Sequence, residues 1–296
     1  MKYIKIIGRF LFSLRFFGEV SISIFKIYIH LKINNNKCIS YEDVNQKMKS
    51  DTLFILGSGA SINQYSQPQW NDITRGDSIG LNNWIIHPFY PTYYFFELPK
   101  EKSDIDIFLT NLELTMKNNR ISEYVYRFTS DSKSKHHFLS DDKYFNIKYL
   151  LCAPLAISSL DRLDIGMILM RSLLPLFKRI NRFIVFSKRA SLFSAIVFGY
   201  MANYRKIVLC GIDLNSTDYF FDDSPEKFTK NGFIIPNKNQ NSIIHRTNDP
   251  SIGKTTVSEL IRSLDRLILK PAGVNLYVGS ITSELYNILP CYWENE

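Results

Sequence analysis

Residues 53–61 read Leu-Phe-Ile-Leu-Gly-Ser-Gly-Ala-Ser. An apolar run entering a Gly-Ser-Gly turn, closed by a small hydroxyl residue, predicts the first strand of a sheet handing over to a helix start. Gly57 and Gly59 can take backbone angles closed to other residues, and they let a phosphate approach the main-chain amides. The turn is an incomplete G-x-G-x-x-G, with Asn63 near the place where a further glycine is sought. An ordinary strand-turn-helix explains it equally well.

The rest of the chain sets the frame for that turn. Its 296 residues are 45% hydrophobic, enough for one large α/β domain with a sub-domain. Cys38, Cys152, Cys210 and Cys291 are widely spaced and form no C-x-x-C. This argues against a zinc site or a disulfide framework and fits a reducing compartment. Residues 1–37 hold Lys2, Lys5, Arg9, Arg15, Lys26, Lys32 and Lys37 against one acid, Glu19, and so carry most of the net charge of +8. The remainder is close to neutral, which argues against a nucleic-acid binder.

Residues 1–33 mix large apolar residues with charges at 9, 15, 19, 26 and 32, so no stretch is long and uncharged enough to span a membrane. No small-residue cleavage site follows an apolar core, which argues against a signal peptide. A basic, aromatic-rich helix lying on an anionic membrane surface is expected. The alternative is a helix packed on its own domain or on a partner subunit. Asn34 to Lys37 reads as a linker.

Strands are expected at 53–56, 78–81, 93–96, 206–210 and 275–278, and helices at 190–203, 257–268 and 281–288. Residues 100–150 give no clear elements. Residues 151–187 are apolar with a basic cluster, Lys178 to Arg182, that reads as a solvated helix face. Residues 214–244 are polar and aperiodic, as in a lid. The strand at 206–210 ends in Gly211-Ile212-Asp213, which puts Asp213 at the C-terminal edge of a parallel sheet, where open α/β folds bind ligands. The expected fold is α/β, a Rossmann-like, mostly parallel sheet flanked by helices, with a small lid. Its parts are a basic membrane-associating segment (1–37), a nucleotide-sugar-binding domain (51–213 with 246–296) and the lid (214–245).

Five histidines are candidates for acid–base work. His30 lies in the N-terminal helix, and His136 and His137 lie in a polar stretch. His87 follows the second strand and can border a site. His245 closes the lid segment, where an imidazole can take a proton from an attacking hydroxyl near neutral pH. A surface or structural role is the alternative for His245. Asp104-Ile105-Asp106 has the letters of a metal motif without a preceding strand. Asp222-Asp223 reads as a surface pair. G-x-S-x-G, Walker and H-E-x-x-H motifs are missing from the sequence.

Taken in order, these features resemble the bacterial sialyltransferases of glycosyltransferase family 42, over roughly residues 52–290. The Gly57-Ser58-Gly59-Ala60-Ser61 turn is similar to that family's G-N-G-P-S. Asn82 in Gly80-Leu81-Asn82-Asn83 matches a nucleotide-contacting asparagine. Ser191 followed by Lys206 to Asp213 matches its donor-site serine, strand and G-I-D, and His245 matches its catalytic histidine in spacing. There are departures. Ser58 and Glu97 stand where the family has asparagines, Leu192 stands for a glycine, and Asn215 stands for a tyrosine, with Tyr219 near the place of a second tyrosine.

The resemblance implies a GT-A-like variant of the fold and an inverting, metal-independent transfer that needs no cofactor. The donor is a CMP-activated sialic-acid-like 2-keto sugar acid, with Kdo or a legionaminic-type sugar as alternatives. His245 is the base, Tyr219 and amides near Ser191 steady the leaving phosphate, and Gly57, Ser58, Gly59, Ser61, Asn82, Glu97, Ser191, Gly211, Asp213 and Asn215 form the donor site. The acceptor is a terminal sugar of a lipid-linked surface glycan at the cytoplasmic face of the bacterial inner membrane, and a homo-oligomer is possible. Two rivals stand beside this reading. One is another nucleotide enzyme, such as a pyrophosphokinase, which needs a metal-binding carboxylate cluster. The other is a membrane-anchored nucleotide-binding module without activity.

Overall fold

Thr52–Leu56 (β1) buries all five of its residues, as a central strand covered on both faces must. It pairs in parallel with Asp77–Leu81 (β2) on one side and Lys206–Cys210 (β7) on the other. The computed structural model describes residues 2–33, 37–118, 121–129, 144, 146–155, 157, 159–179, 183–236, 247–249, 251 and 255–294, without the side chains of 2–9, 27 and 30–33. The remaining strands are Tyr93–Phe96 (β3), Glu123–Phe128 (β4), Lys148–Pro154 (β5), Ile184–Ser187 (β6) and Asn275–Val278 (β8). Together they form one eight-stranded sheet in the order β6-β5-β4-β3-β2-β1-β7-β8, with every pairing parallel. This is an α/β architecture of Rossmann-like type.

The helices are α1 (Lys2–Ile33), α2 (Tyr41–Lys47), α3 (Gln67–Arg75), α4 (Lys102–Lys117), α5 (Leu163–Lys178), α6 (Ser191–Met201), the single turn α7 (Glu226–Thr229) and α8 (Val257–Leu264). The expected helix over 257–268 divides into α8 and a π-helical turn, Asp265–Leu269, and that over 281–288 shrinks to a 3-10 turn, Glu284–Asn287. Strands β4, β5 and β6 occupy stretches in which no strand was expected. The chain reverses direction across the sheet at β1. Strands β2 to β6 extend to one side of it, and β7 and β8 to the other. The loops after β1 and β7 therefore part at this point and leave a crevice at the C-terminal edge.

Helix α1 is part of the domain. Phe12, Phe16, Val20 and Ser23, spaced along one helical face, are buried. Phe16 stacks on Phe186 of β6 at 6.2 Å, and Phe177 of α5 stacks on the same ring at 5.6 Å. The opposite face exposes Phe10, Leu11, Leu14, Ile22 and Phe25. The expected packing of this helix on its own domain thus describes the inner face alone. No helix among the described residues is long and apolar enough to cross a membrane. Residues 37–39 are also built in: Tyr149 N–H donates to the Lys37 carbonyl at 2.8 Å, and Ile39 joins Tyr149 and Phe183 through its N–H and carbonyl. Asn34 to Asn36 lie outside the described residues.

Candidate functional site

The turn after β1 meets the turn after β7 backbone to backbone. Gly57 N–H donates to the Cys210 carbonyl and Gly59 N–H to the Gly211 carbonyl, each at 2.8 Å. A Cβ on Gly57 would stand 2.6 Å from the Gly211 carbonyl oxygen, and one on Gly59 would stand 2.5 Å from the Asp213 carboxylate. Gly211 itself has φ +63°, in the left-handed region. These glycines serve the contact between two loops. Ala60 N–H donates to the Asp218 carbonyl, and Ser61 N–H to Asp213. With four of its N–H groups engaged, the turn is not the open phosphate cradle its sequence led one to expect.

Around that contact lies a cleft lined by nine of the predicted residues: Gly57, Ser58, Gly59, Asn82, Glu97, Ser191, Gly211, Asp213 and Tyr219. Two others lie off it. Ser61 is buried beneath, its hydroxyl donating to Asp213 at 2.5 Å and its N–H at 3.0 Å, so it holds Asp213 in place. Asn215 is exposed and donates to the Thr282 carbonyl at 3.1 Å. Three non-glycine residues with left-handed backbone, Asn82 (φ 49°), Arg189 (φ 57°) and Leu214 (φ 57°), also line the cleft. Each such conformation costs roughly 1–3 kcal/mol, and strain of this kind gathers at functional sites.

Helix α6 starts in the cleft wall. Its N-cap, Ala190, makes no side-chain cap; Phe193 N–H donates to the Ala190 carbonyl at 3.2 Å, and Ser191 and Leu192 bring the positive end of the helix dipole to the cleft wall. This start, and not the glycine turn, is the place suited to an anion. Ser191 accepts from Asn82 Nδ2 at 3.2 Å and from Arg127 Nη1 at 2.5 Å.

The described part of the segment expected as a lid packs along the cleft. Phe220 N–H donates to the Ser58 carbonyl at 3.0 Å, and Gly59 and Tyr219 form an antiparallel bridge. Farther along, Asn111 of α4 bonds both the N–H and the carbonyl of Ile234. His245 lies outside the described residues, as do His136 and His137 and the His30 side chain. Thr247, two residues after His245, lines the cleft. Its neighbour Asn248 is buried and bonded to Glu284 and Ser258. Arg189 ties the same stretch down by donating to the carbonyls of Asp249 and Thr255.

His87 borders this segment without serving it. Its ring stacks on Trp84 at 4.0 Å and meets Phe220 at 4.9 Å, while Nδ1 accepts from Phe89 N–H at 3.0 Å. Burial pushes its pKa down to about 3, so it stays neutral. Asp104 and Asp106 sit at the start of α4 and do not line the cleft. Asp222 caps the N–H of Tyr219 at 2.9 Å. Among the described residues no group of three or more His, Cys, Asp or Glu gathers as metal ligands.

Two arginines escaped the sequence reading. Arg189 adjoins the predicted Ser191. Arg127 lies on β4, below Glu97 and Ser191, and is 2% exposed. A charge inside the aromatic run Glu-Tyr-Val-Tyr-Arg-Phe was the available signal for it.

The fold and cleft define an α/β protein of Rossmann-like type with a crevice at the reversal point of its sheet. The chain matches no known protein-family model. No curated protein is significantly similar to it.

Proposed function

We propose that this chain is a glycosyltransferase that moves a sialic-acid-like 2-keto sugar acid from a CMP-activated donor to a terminal sugar of a bacterial surface glycan. The observation that carries the reading is the convergence of nine residues of the resembling pattern on one strained cleft at the sheet's C-terminal edge. In this reading the donor phosphate rests against the Ser191 and Leu192 amides at the start of α6. The Tyr219 hydroxyl and those amides steady the charge that grows on the departing CMP. His245, two residues before the cleft-lining Thr247, takes the proton from the acceptor hydroxyl as it attacks the anomeric carbon from the opposite side. The leaving group is already a phosphate ester, so the reading calls for no metal or other cofactor.

The acceptor in this reading is lipid-linked, and the protein works peripherally at the cytoplasmic face of the inner membrane. The exposed apolar face of α1 supports that contact, as do the exposed Ile168 and Leu176 of α5, the helix that packs beside it. The basic charge of residues 1–37 supports it as well.

The test is CMP release by the purified chain, given a panel of CMP-sugars and a galactose-terminated acceptor. One donor is expected to turn over, and His245→Ala is expected to lower kcat by about 10²–10⁴-fold. Release from no donor, or full activity in the variant, overturns the reading.

A further inference from the structure

Both terminal nitrogens of Arg127 are engaged beneath the cleft. Its Nη2 donates to Ser187 Oγ and Ser194 Oγ, each at 3.0 Å, and its Nη1 donates to Ser191 Oγ at 2.5 Å. Its Nε is buried and meets no hydrogen-bond partner among the described residues. Three hydroxyls satisfy hydrogen-bond geometry without supplying charge. A guanidinium this deeply buried needs a counter-anion. Among the described residues the carboxylate that meets it is Glu97, whose Oε2 lies 3.2 Å from Nη1.

The two partners differ in freedom. Arg127 is 2% exposed, while the Glu97 side chain is 50% exposed and lines the cleft. The Ser191 hydroxyl records the same arrangement. A hydroxyl has one proton and two lone pairs. Here the lone pairs accept from Arg127 and Asn82, and the proton has Glu97 Oε1 at 3.3 Å as its nearer acceptor and Asn82 Oδ1 at 3.5 Å as the longer one. Ser191 has nothing left to offer a ligand while Glu97 stays.

We propose that Arg127 and the Ser191 hydroxyl form a carboxylate-binding subsite, which Glu97 fills until a ligand carboxylate displaces it. A carboxylate already docked on this guanidinium and hydroxyl shows which chemistry the subsite takes. A ligand carboxylate has the same plane and the same two acceptor oxygens, so it replaces Glu97 contact for contact. Glu97 then turns to the solvent side, and Arg127 never loses its counter-charge. The inference rests on the proposed function only for the source of the ligand. In a CMP-activated 2-keto sugar acid the anomeric carbon bears both the carboxylate and the phosphoester oxygen. Two adjoining anion positions, one on Arg127 and Ser191 and one on the amides at the start of α6, fit that carbon.

The experiment is calorimetric titration of the full chain and of Glu97→Gln and Glu97→Ala with three probes: free N-acetylneuraminic acid, its methyl ester and inorganic phosphate. Both variants are expected to bind the free acid about tenfold more tightly than the unaltered chain, the change that one charge-assisted hydrogen bond amounts to. The ester, whose carboxylate is masked, is expected to gain nothing. Equal or weaker binding of the acid by the variants overturns the proposal, because Glu97 then helps the ligand. An equal gain for the ester or for phosphate overturns the carboxylate assignment. Failure of both variants to fold overturns it too, since a displaceable Glu97 is not essential to the fold. No probe carries a nucleotide and no turnover is read, so a chain inert toward every CMP-sugar still decides this question separately.

Discussion

The two sides of the sheet are built differently. Strands β1, β2, β3, β7 and β8 are short, mostly apolar runs, and the turns after β1 and β7 are locked together by glycines. On the other side β4 carries two ions into the interior, where β2 carries one, Asp77, held by the Lys49 and Ser50 amides. Glu123 at the start of β4 is buried and pairs with Lys47 at 2.9 Å and Lys148 at 3.4 Å. Arg127 near its end pairs with Glu97 and three serines. One side makes the cleft's shape through close backbone contact, and the other supplies the buried positive charge beneath it.

The largest effect expected from this comparison concerns α1, which covers the ionic side. Phe16 is core, so Phe16→Ala is expected to cost about 3–5 kcal/mol in urea unfolding. Phe17, 38% exposed on the next position, is expected to change stability by less than about 0.5 kcal/mol when replaced by serine. Phe17→Ser is expected to weaken binding to anionic vesicles instead. A Phe16→Ala cost below about 1 kcal/mol breaks the comparison, because α1 is then an appended segment and not part of that side's core.

The same contrast explains what the sequence made legible. A parallel strand covered on both faces reads as a continuous apolar run, and β1, β3 and β7 do so. A strand with an acid at one end and an arginine near the other does not, because the partners that permit burial are distant in sequence. Ser191 lies 64 residues from Arg127. The glycine turn was legible as a need for glycine, but its reason was not. The demand comes from the Gly211 carbonyl pressing on the turn. Of the predicted site, Ser61 and Asn215 lie off the cleft, and His245 lies outside the described residues.

A smaller effect separates the two sides by pH. His87, on the apolar side, is neutral in the folded chain with its pKa pushed down to about 3 by burial, against an ordinary 6.5. The unfolded chain binds a proton there below pH 6.5 and the folded chain does not, so stability falls as pH drops from 6.5 toward 3. The slope is about 1.4 kcal/mol per pH unit in the middle of that range. On the ionic side, burial pushes the Asp43 pKa upward, but Lys148 and Ser40 together hold it below the ordinary 3.8. Its stabilisation is present above that pH and is lost only as pH falls below it. His87→Asn keeps an acceptor for the Phe89 N–H and is expected to flatten unfolding free energy between about pH 4.5 and 6.5, within about half a kcal/mol per unit. An unchanged slope in that variant shows that His87 is not the group that makes the chain acid-sensitive in this range.

The smallest effect tests the glycine-locked turn itself. Ser61 was a candidate donor contact, yet its hydroxyl and N–H both point at Asp213. Ser61→Ala removes one of those two bonds. Asp213 keeps the Ser61 N–H bond, and the expected loss is about 1 kcal/mol. Because Asp213 then loses part of its fixation, nucleotide binding is expected to weaken only through that looser wall, by about two- to threefold in titrations with CMP. A loss of tenfold or more in CMP affinity with unchanged stability reverses the assignment. Ser61 would then touch the ligand directly, and the turn after β1 would hold the phosphate after all.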